Sequence, residues 1–365
     1  MNLSKALAFG RQLCRNLNLK EFDTAPETAR AVLEEVWQDA HSSCHTHRDP
    51  QWLEAGPELS VILAVYNDAA HICRSVESVL NQKSRYSLEL VVVNDGSTDD
   101  TAAMLYKYEA LPNVTVIHQE NTGLSGARNA GLSVCRGKYI LFHDSDDTLL
   151  PGAVENLLSC AFAEQADLVA GGYLEESPQG VRTPGVRYTA PVLPHRAISG
   201  MACGKVYRRE LFANLQFPLG YWYEDSVVSQ ILLPAANNCR CVEPEVFACF
   251  CNAAGISGSS RGKPKSLDSL YITEQLLKDK ALFGLPLDSE AYEHFLYMVE
   301  LTYQRTRLLE PRVIHAVFQH QRYLKNTFFP GQTKGRALEK ALCAGNYKGY
   351  LWNCEMGWLL RRFRR

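Results

Sequence analysis

The chain has 365 residues, 46% of them hydrophobic, and a formal net charge of −2 at pH 7. This length predicts two domains, or one domain with large additions, and the apolar content is sufficient for a packed core. The nearly balanced charge argues against a nucleic-acid partner, and no apolar run reaches the roughly 18 residues that span a bilayer.

The cysteine usage is typical of an intracellular protein, although the chain has 12 cysteines. No secretion signal precedes them, and residues such as Cys135 lie inside apolar patterns, which favours free thiols in a reducing cytoplasm. Cys239-x-Cys241 and Cys249-x-Cys251 suggest a zinc site, but this spacing is shorter than most zinc ligand pairs have. Alternate residues of a strand face the same side, so we interpret both pairs as strand residues.

Three regions follow from the periodicity of the apolar residues. Residues 1–56 are predicted to form a helical N-terminal extension, and residues 265–365 a helical C-terminal region. Between them, in residues 57–264, short apolar runs alternate with helical patterns. This alternation predicts an α/β domain with a mainly parallel, Rossmann-like sheet flanked by helices. The predicted strands are Leu59–Val65, Leu88–Val93, Val114–Ile117, Tyr139–Phe142, Asp167–Ala170 and Val246–Phe250.

Glycine, proline and serine are frequent from Gly171 to Ser199, where periodicity is weak. We interpret this stretch as an excursion that shapes the acceptor side of the domain.

Polar residues follow the predicted strands of the parallel sheet. Ligands of such sheets bind beyond the carboxyl ends of the strands, so these residues are predicted to form a site. The residues are Tyr66, Asp68, Asp95, Asp144 and Asp146.

The stretch Asp144-Ser145-Asp146-Asp147 places three carboxylates within four residues, directly after a predicted strand. Carboxylates this close repel one another unless a cation lies between them. Mg²⁺ or Mn²⁺ prefers oxygen ligands and commonly shares them with substrate phosphates, which predicts a metal-diphosphate site. The alternative is a solvated acidic turn in which Asp144 or Asp147 caps the next helix.

Five motifs in this order resemble those of family 2 glycosyltransferases. They are Ser60–Asn67, Val93–Thr101, Asn121–Gly131, Gly137–Asp147 and the pair Glu224-Asp225. The resemblance covers about residues 58–260. It implies a GT-A fold and an enzyme that transfers a sugar, with inversion, from a nucleotide-diphosphate donor.

The resemblance also implies roles for residues in the nucleotide half of the site. Ala64 and Tyr66 correspond to the wall that contacts uracil, and Asp95 to the acid that accepts a hydrogen bond from the base or ribose. Asn121 and Arg128 lie in the segment that closes over the nucleotide and the sugar. Pairing with an acid remains an alternative for Arg128, since arginine is a common partner of carboxylates.

The resemblance likewise implies roles for residues in the catalytic half of the site. Asp144-Ser145-Asp146 corresponds to the Asp-x-Asp motif of the family, and Asp146 is expected to touch the metal most directly. Asp225 corresponds to the catalytic base, with Glu224 as the competing candidate. Consecutive residues on a helix point in different directions, so both are not expected to face the donor equally. Lys205 either meets a phosphate or lies on a solvated helix face.

The resulting prediction is a cytoplasmic, Mn²⁺- or Mg²⁺-dependent inverting transferase that uses a UDP-sugar. Its acceptor is expected to be a glycan or a lipid-linked saccharide in cell-surface polysaccharide synthesis. A nucleotidyltransferase of similar fold and a non-catalytic glycan-binding module are the alternatives. Aromatic and basic residues alternate near the C-terminus, which predicts peripheral membrane contact there. These residues are Trp352, Trp358, Leu359, Leu360, Phe363 and the arginines at 361, 362, 364 and 365.

Overall fold

The computed structural model describes residues 26–39, 46–48, 56–252, 255 and 259–363, with side chains from residue 28 to 357. These residues fall into two compact units. One lies within Ser43–Asn252, and the other is formed from Met1–Ser42 and Ala253–Arg365. The first contains the sheet and the second is helical in its described part. The domain bounds at residues 57 and 264 remain predictions.

A single sheet of nine strands forms the core of the first unit. Its members are β1 (Leu59–Val65), β2 (Leu88–Asp95), β3 (Val114–Gln119), β4 (Tyr139–Asp144), β5 (Thr148–Leu149), β6 (Leu168–Glu176), β7 (Arg182–Pro184), β8 (Lys205–Arg208) and β9 (Cys239–Phe250). The spatial order is β3-β2-β1-β4-β8-β6-β9-β5, and β7 pairs with β6.

The four strands β3, β2, β1 and β4 are mutually parallel, as the sequence predicts. All seven residues of β1 are buried, which is why this strand is an unbroken apolar run. Strand β8 pairs antiparallel with β4 and with β6, so the whole sheet is mixed. The predicted mainly parallel sheet with flanking helices is confirmed.

The helices accompany the strands in chain order. They are α1 (Pro26–Val36), α2 (Ile72–Leu80), α3 (Thr101–Leu105), α4 (Gly123–Val134), α5 (Ala153–Ala163), α6 (Leu233–Ala235), α7 (Asp268–Asp279), α8 (Ser289–Thr306), α9 (Pro311–Phe328), α10 (Ala337–Cys343) and α11 (Tyr347–Phe363). A π-helix, Val228–Leu232, leads into α6. Among the described residues, no helix has the length and apolar content that crossing a membrane requires. The predicted helical C-terminal region is confirmed.

Helix α4 packs directly on the parallel strands. Ala127 forms a buried cluster with Ala64 of β1 and with Val91 and Val93 of β2. Small alanines at the contact let the helix backbone approach the sheet closely. The next residue of this helix, Arg128, is thereby held against the sheet.

Strand β6 is longer than predicted and continues through Gly171 and Gly172 to Glu176. A β-carbon on Gly171 would lie 2.3 Å from the Val246 side chain, and one on Gly172 would lie 2.4 Å from the Val186 carbonyl oxygen. These glycines therefore allow close approach within the sheet. Reading the stretch from Gly171 as a loop was wrong at its start, because glycine in a strand has the same composition signal as glycine in a turn.

The helical unit contains a buried ion cluster around Glu274 of α7. Its carboxylate meets His320 at 2.7 Å, Lys278 at 2.7 Å and Arg30 at 3.1 Å. Burial on its own raises the pKa of Glu274, but the hydrogen bonds and charges of His320 and Lys278 outweigh it and bring the pKa down to about 2. The ionised carboxylate therefore stabilises the fold.

Replacing Glu274 by Gln should destabilise the helical unit by about 3 kcal/mol, the scale for breaking a buried charge cluster. Because the folded pKa is depressed, the stabilisation is complete above the unfolded value of about 4.3 and is lost as pH falls toward 2. Urea unfolding of the parent and of Glu274→Gln, at pH 7 and at pH 3, measures the free energy of unfolding at each pH. Glu34→Gln is the matched control, since Glu34 pairs with the same Arg30 on the surface. Equal losses in both variants would contradict the prediction.

Candidate active site

The parallel register of the strands brings the predicted site residues to one edge of the sheet. Ala64, next to the end of β1, pairs with Val93 of β2 and with Asp144 of β4. Asp95 ends β2, and Tyr66 follows β1 directly. The carboxyl ends of these neighbouring strands therefore carry acidic and aromatic side chains next to one another, as the sequence predicts.

A buried arginine lies at the centre of this edge. The guanidinium of Arg128 donates from Nη1 to Glu224 Oε1 at 2.9 Å and to Asp225 Oδ1 at 2.8 Å. Its Nη2 donates to Asp144 Oδ1 at 3.1 Å. The rings of Phe142 and Phe217 lie beneath the guanidinium, with centroids at 5.8 and 5.3 Å. Arg128 thus joins three acids from two motifs, which corresponds to its alternative interpretation as a partner of carboxylates.

The charges of this cluster are strongly coupled. Burial opposes the charge of Arg128, but Asp225, Asp144 and Glu224 raise its pKa well above the ordinary value. Burial, followed by the charge of Asp225, raises the pKa of Glu224 to about 7. Three carboxylates face one guanidinium, so the cluster keeps an excess of negative charge even when Glu224 is protonated.

The two adjacent acids differ in exposure. The side chain of Asp225 is 35% exposed, whereas that of Glu224 is 7% exposed. Both lie in a turn that precedes the helical segment from residue 226, so they are not consecutive on a helix. Both acids therefore reach Arg128 from the turn, and which of them faces the donor stays a prediction. Tyr223 before them has a φ of 67°, a left-handed conformation that is unusual for a bulky residue.

The three carboxylates of the acid loop, residues 144–147, are buried to different extents. Ligand atoms of Asp144, Asp147 and the Cys203 thiol lie within 4.8 Å of one another. Burial and then the charges of Asp144 and Asp68 raise the pKa of Asp146 to about 6. Burial and the charge of Asp144 raise the pKa of Asp147 well above its usual range.

This acid loop fits a hard divalent cation in part. The carboxylates of Asp144 and Asp146 repel each other, and oxygen donors suit Mg²⁺ and Mn²⁺. The buried thiol of Cys203 suits softer metals instead. Asp147 is 2% exposed and its Oδ1 accepts the Phe250 amide at 2.9 Å, so it also ties the acid loop to β9. The sequence counted Asp147 among the crowded carboxylates, with a helix cap as the alternative, and it indicated only a small apolar role for Cys203, whose contact spans a long chain separation.

Asp68 and Ser145 form a second polar group beside the acid loop. The Ser145 hydroxyl donates to Asp68 Oδ2 at 2.7 Å, and the other oxygen of Asp68 lies 2.6 Å from His71 Nδ1. These contacts hold the loop after β1 against the acid loop after β4. The two residues therefore lie together, as expected of a shared binding site.

Asp95 is 2% exposed and caps helix α4. Its Oδ1 accepts Gln119 Nε2 at 2.7 Å and the Thr122 amide at 2.9 Å, and its Oδ2 accepts the Gly123 amide at 2.8 Å. The first amides of a helix have no partner within the helix, and here the Asp95 carboxylate accepts them. Asp95 thus fixes the helix that carries Arg128 into the site.

The remaining residues that were predicted to contact the nucleotide are either exposed to solvent or buried in β1. Tyr66 is 52% exposed, Ala64 is buried at 7%, and Asn121 is exposed. An exposed tyrosine beside the end of a strand offers a flat apolar surface on which a base can stack.

Two residues that the sequence left open are buried. Lys205 lies on strand β8, so its interpretation as part of a solvated helix face was wrong, and its Nζ donates to the carbonyls of Met201 at 2.8 Å and Cys203 at 3.3 Å. Burial lowers its pKa to about 8. His143 is 1% exposed, and burial lowers its pKa to about 4, so it packs in β4 as a neutral ring.

Comparison with known proteins agrees with this geometry. Residues 60–215 match the model of the family described as glycosyl transferase family 2. The uncharacterized glycosyltransferase YibD of Escherichia coli K12 is 27% identical over 325 residues, which cover 82% of this chain and 92% of YibD. The putative glycosyltransferase EpsH of Bacillus subtilis 168 is 34% identical over 178 residues, 45% of this chain and 51% of EpsH.

The fold is also similar to a solved structure. Residues 1–349 of S. aureus TarS, crystallised with UDP-GlcNAc, align with a TM-score of 0.54 and 18% identity over 83% of this chain and 92% of that one. The similarity to TarS shows the fold alone, whereas the sequence matches bear on the family. The chain thus contains, at residues 60–215, a domain that matches the model of glycosyl transferase family 2, and its sequence relatives are named as glycosyltransferases.

Proposed function

We propose that the chain transfers a sugar from a UDP-sugar to a hydroxyl group of a glycan or lipid-linked acceptor, with inversion and with a divalent cation. The observation that carries the proposal is the junction at Arg128. There the acid loop, through Asp144, meets the pair Glu224 and Asp225 within hydrogen-bond distance of one guanidinium. A donor diphosphate bound beside the acid loop would therefore lie next to an acceptor hydroxyl bound beside Glu224 and Asp225.

The cation would be held by Asp144 and Asp146. When bound, it supplies positive charge that neutralises the departing diphosphate. Arg128 Nη2 donates to one carboxylate oxygen of Asp144, Oδ1, at 3.1 Å. Asp146 has no comparable cationic side-chain partner among the described contacts, and its raised pKa reflects burial first and then the negative charges of Asp144 and Asp68.

Asp225 is our candidate for the base that accepts the proton of the acceptor hydroxyl. It is the more exposed acid of the pair, and a base must lie within hydrogen-bond reach of the proton that it accepts. Glu224 is buried with a pKa near neutrality, which suits a positioning role behind Arg128. One base is sufficient, because inversion requires no covalent enzyme intermediate.

For the nucleotide we propose uridine, with the ring on Tyr66 and its N–H directed to Asp95. Structures of the similar TarS fragment with UDP and with UDP-GlcNAc support this choice. Asp95 Oδ2 accepts one backbone amide and retains a lone pair for another donor.

UDP should bind more tightly than GDP or CDP, and Tyr66→Ala should weaken UDP binding roughly tenfold through loss of stacking. Titration calorimetry with the three nucleotides in Mn²⁺ measures this. Tyr297→Ala is the matched control, because Tyr297 is 47% exposed and lies on α8. Tighter binding of GDP than of UDP would overturn the donor assignment.

We further propose that the product belongs to a cell-surface polysaccharide and that the C-terminus contacts the cytoplasmic face of the membrane. Trp352 of α11 is 55% exposed, which supports the idea. The side chains from Trp358 onward lie outside those described. The alternative is a helix that packs only on its own unit.

Deleting residues 358–365 should abolish binding to anionic vesicles and leave binding to neutral vesicles unchanged, because aromatic and basic residues act together at anionic surfaces. Co-sedimentation with vesicles of each composition tests this. Unchanged binding in the deletion variant, or none in the full chain, would reject membrane contact.

A further inference from the structure

The backbone that follows β4 is held by the polar side of helix α2. Residues 74, 75, 78 and 82 lie on one side of this helix and its continuation, since residues three and four apart are neighbours. They bind main-chain atoms of the acid loop and of the residues that follow it. The bonds join Arg74 Nη2 to Asp146 O at 2.7 Å, Ser75 Oγ to Asp144 O at 3.1 Å, Leu149 N to Ser78 Oγ at 3.0 Å and Gln82 Nε2 to Leu150 O at 3.0 Å.

Arg74 differs from the other three because a buried acid holds its charge in place. Its Nη1 pairs with Glu176 Oε1, and Glu176 is 3% exposed at the end of β6. The second oxygen of Glu176 accepts Arg182 Nε at 2.7 Å. The guanidinium of Arg74 also lies 5.7 Å from the centroid of Phe250, whose amide binds Asp147. One guanidinium therefore connects the acid loop with the ends of β6 and β9.

This arrangement matters because the acid loop concentrates negative charge. Crowded carboxylates separate unless the backbone that carries them is fixed. The Arg74 bond reaches the carbonyl of Asp146 and does not involve the carboxylate of that residue. It can therefore set the position of the metal ligand without occupying it.

We propose that Arg74, anchored by Glu176, is a positioning residue that fixes the backbone of Asp146 and thereby sets the affinity of the acid loop for its divalent cation. This inference rests on the proposed metal-assisted transfer. It adds a helix and a buried acid that no glycosyltransferase motif of this chain contains.

The test measures Mn²⁺ binding by titration calorimetry in the absence of donor, and transfer against Mn²⁺ concentration at saturating donor. Arg74→Ala should raise the Mn²⁺ concentration for half-maximal rate about tenfold or more, since a hydrogen bond from a charged group is lost, with kcat at saturating Mn²⁺ within about threefold. Millimolar guanidinium should restore much of the affinity, because the Arg74 side chain is 40% exposed and the vacated place is accessible. Glu176→Gln should shift the Mn²⁺ dependence in the same direction by a smaller factor.

Arg85→Ala is the matched control, because Arg85 pairs with Glu155 on the surface and is 69% exposed. Its Mn²⁺ dependence and its response to guanidinium should equal those of the parent. An unchanged Mn²⁺ dependence in Arg74→Ala, or a loss of kcat that guanidinium does not restore, overturns the inference. If Arg74→Ala does not fold, an unchanged Mn²⁺ dependence in Glu176→Gln overturns it instead.

Asp146→Asn, assayed alongside, separates this inference from the proposed function. Loss of transfer in that variant with normal Mn²⁺ dependence in Arg74→Ala leaves the function standing and removes only the role of Arg74. Full metal-free transfer by Asp146→Asn would overturn both.

Discussion

Asp225→Asn should lower the rate of sugar transfer by about a hundredfold or more, the scale for loss of a general base. The substitution keeps the shape of the side chain and removes its basicity. UDP affinity in Mn²⁺ should stay close to that of the parent, because Arg128 retains its contacts with Asp144 and Glu224. Steady-state kinetics with calorimetry of UDP separates the two effects.

Glu224→Gln is the control for this prediction, since both acids contact the same nitrogen of Arg128. We expect a smaller loss of rate, because Glu224 is buried and its pKa is raised to about 7. If Glu224→Gln loses transfer while Asp225→Asn transfers normally, Glu224 is the base. If both variants lose nucleotide binding, the pair supports the site and the base lies elsewhere.

Asp146→Asn should reduce transfer below detection and weaken UDP binding in Mn²⁺ by at least about tenfold. The acid lies beside the negative charges of Asp144 and Asp68, and an amide at this position removes a ligand for the neutralising cation. UDP binding measured in EDTA should differ little between variant and parent.

Asp100→Asn is a suitable control for Asp146→Asn. Asp100 is an exposed aspartate at the start of α3, and its side chain makes no capping hydrogen bond there. Its transfer rate and Mn²⁺ dependence should match the parent. Full activity of Asp146→Asn, or of the parent in excess EDTA, would remove the metal from the proposal.

The strands of the parallel sheet and the edge that carries the acids could be predicted from sequence. Runs such as Leu59–Val65 are apolar throughout because both faces of a central parallel strand are covered. Polar residues directly after them then had to meet at one edge. The glycines at 171 and 172 misled the prediction, since only the tertiary contact with Val246 and Val186 tells a close approach from a turn.

The centre of the site could not be predicted in the same way. Arg128 lies in the sequence far from the acids at 224 and 225, and nothing in their spacing selects its partners. The contact of Arg74 with Asp146 likewise crosses 72 positions and joins a side chain to a carbonyl, which leaves no pattern in the residue types. Such contacts are determined by how α2 and α4 pack on the sheet.

A donor screen by thermal unfolding tests the central claim most directly, since a ligand that binds only the folded chain raises its melting temperature. Nucleotide sugars with uracil, guanine and cytosine bases would be compared in Mn²⁺ and in EDTA, for the parent and for Asp146→Asn. We predict the largest increase for a UDP-sugar in Mn²⁺ with the parent, and little increase in EDTA or with the variant. Protection by a guanine or cytosine nucleotide sugar above that by every UDP-sugar, or no protection by any donor, would contradict the account.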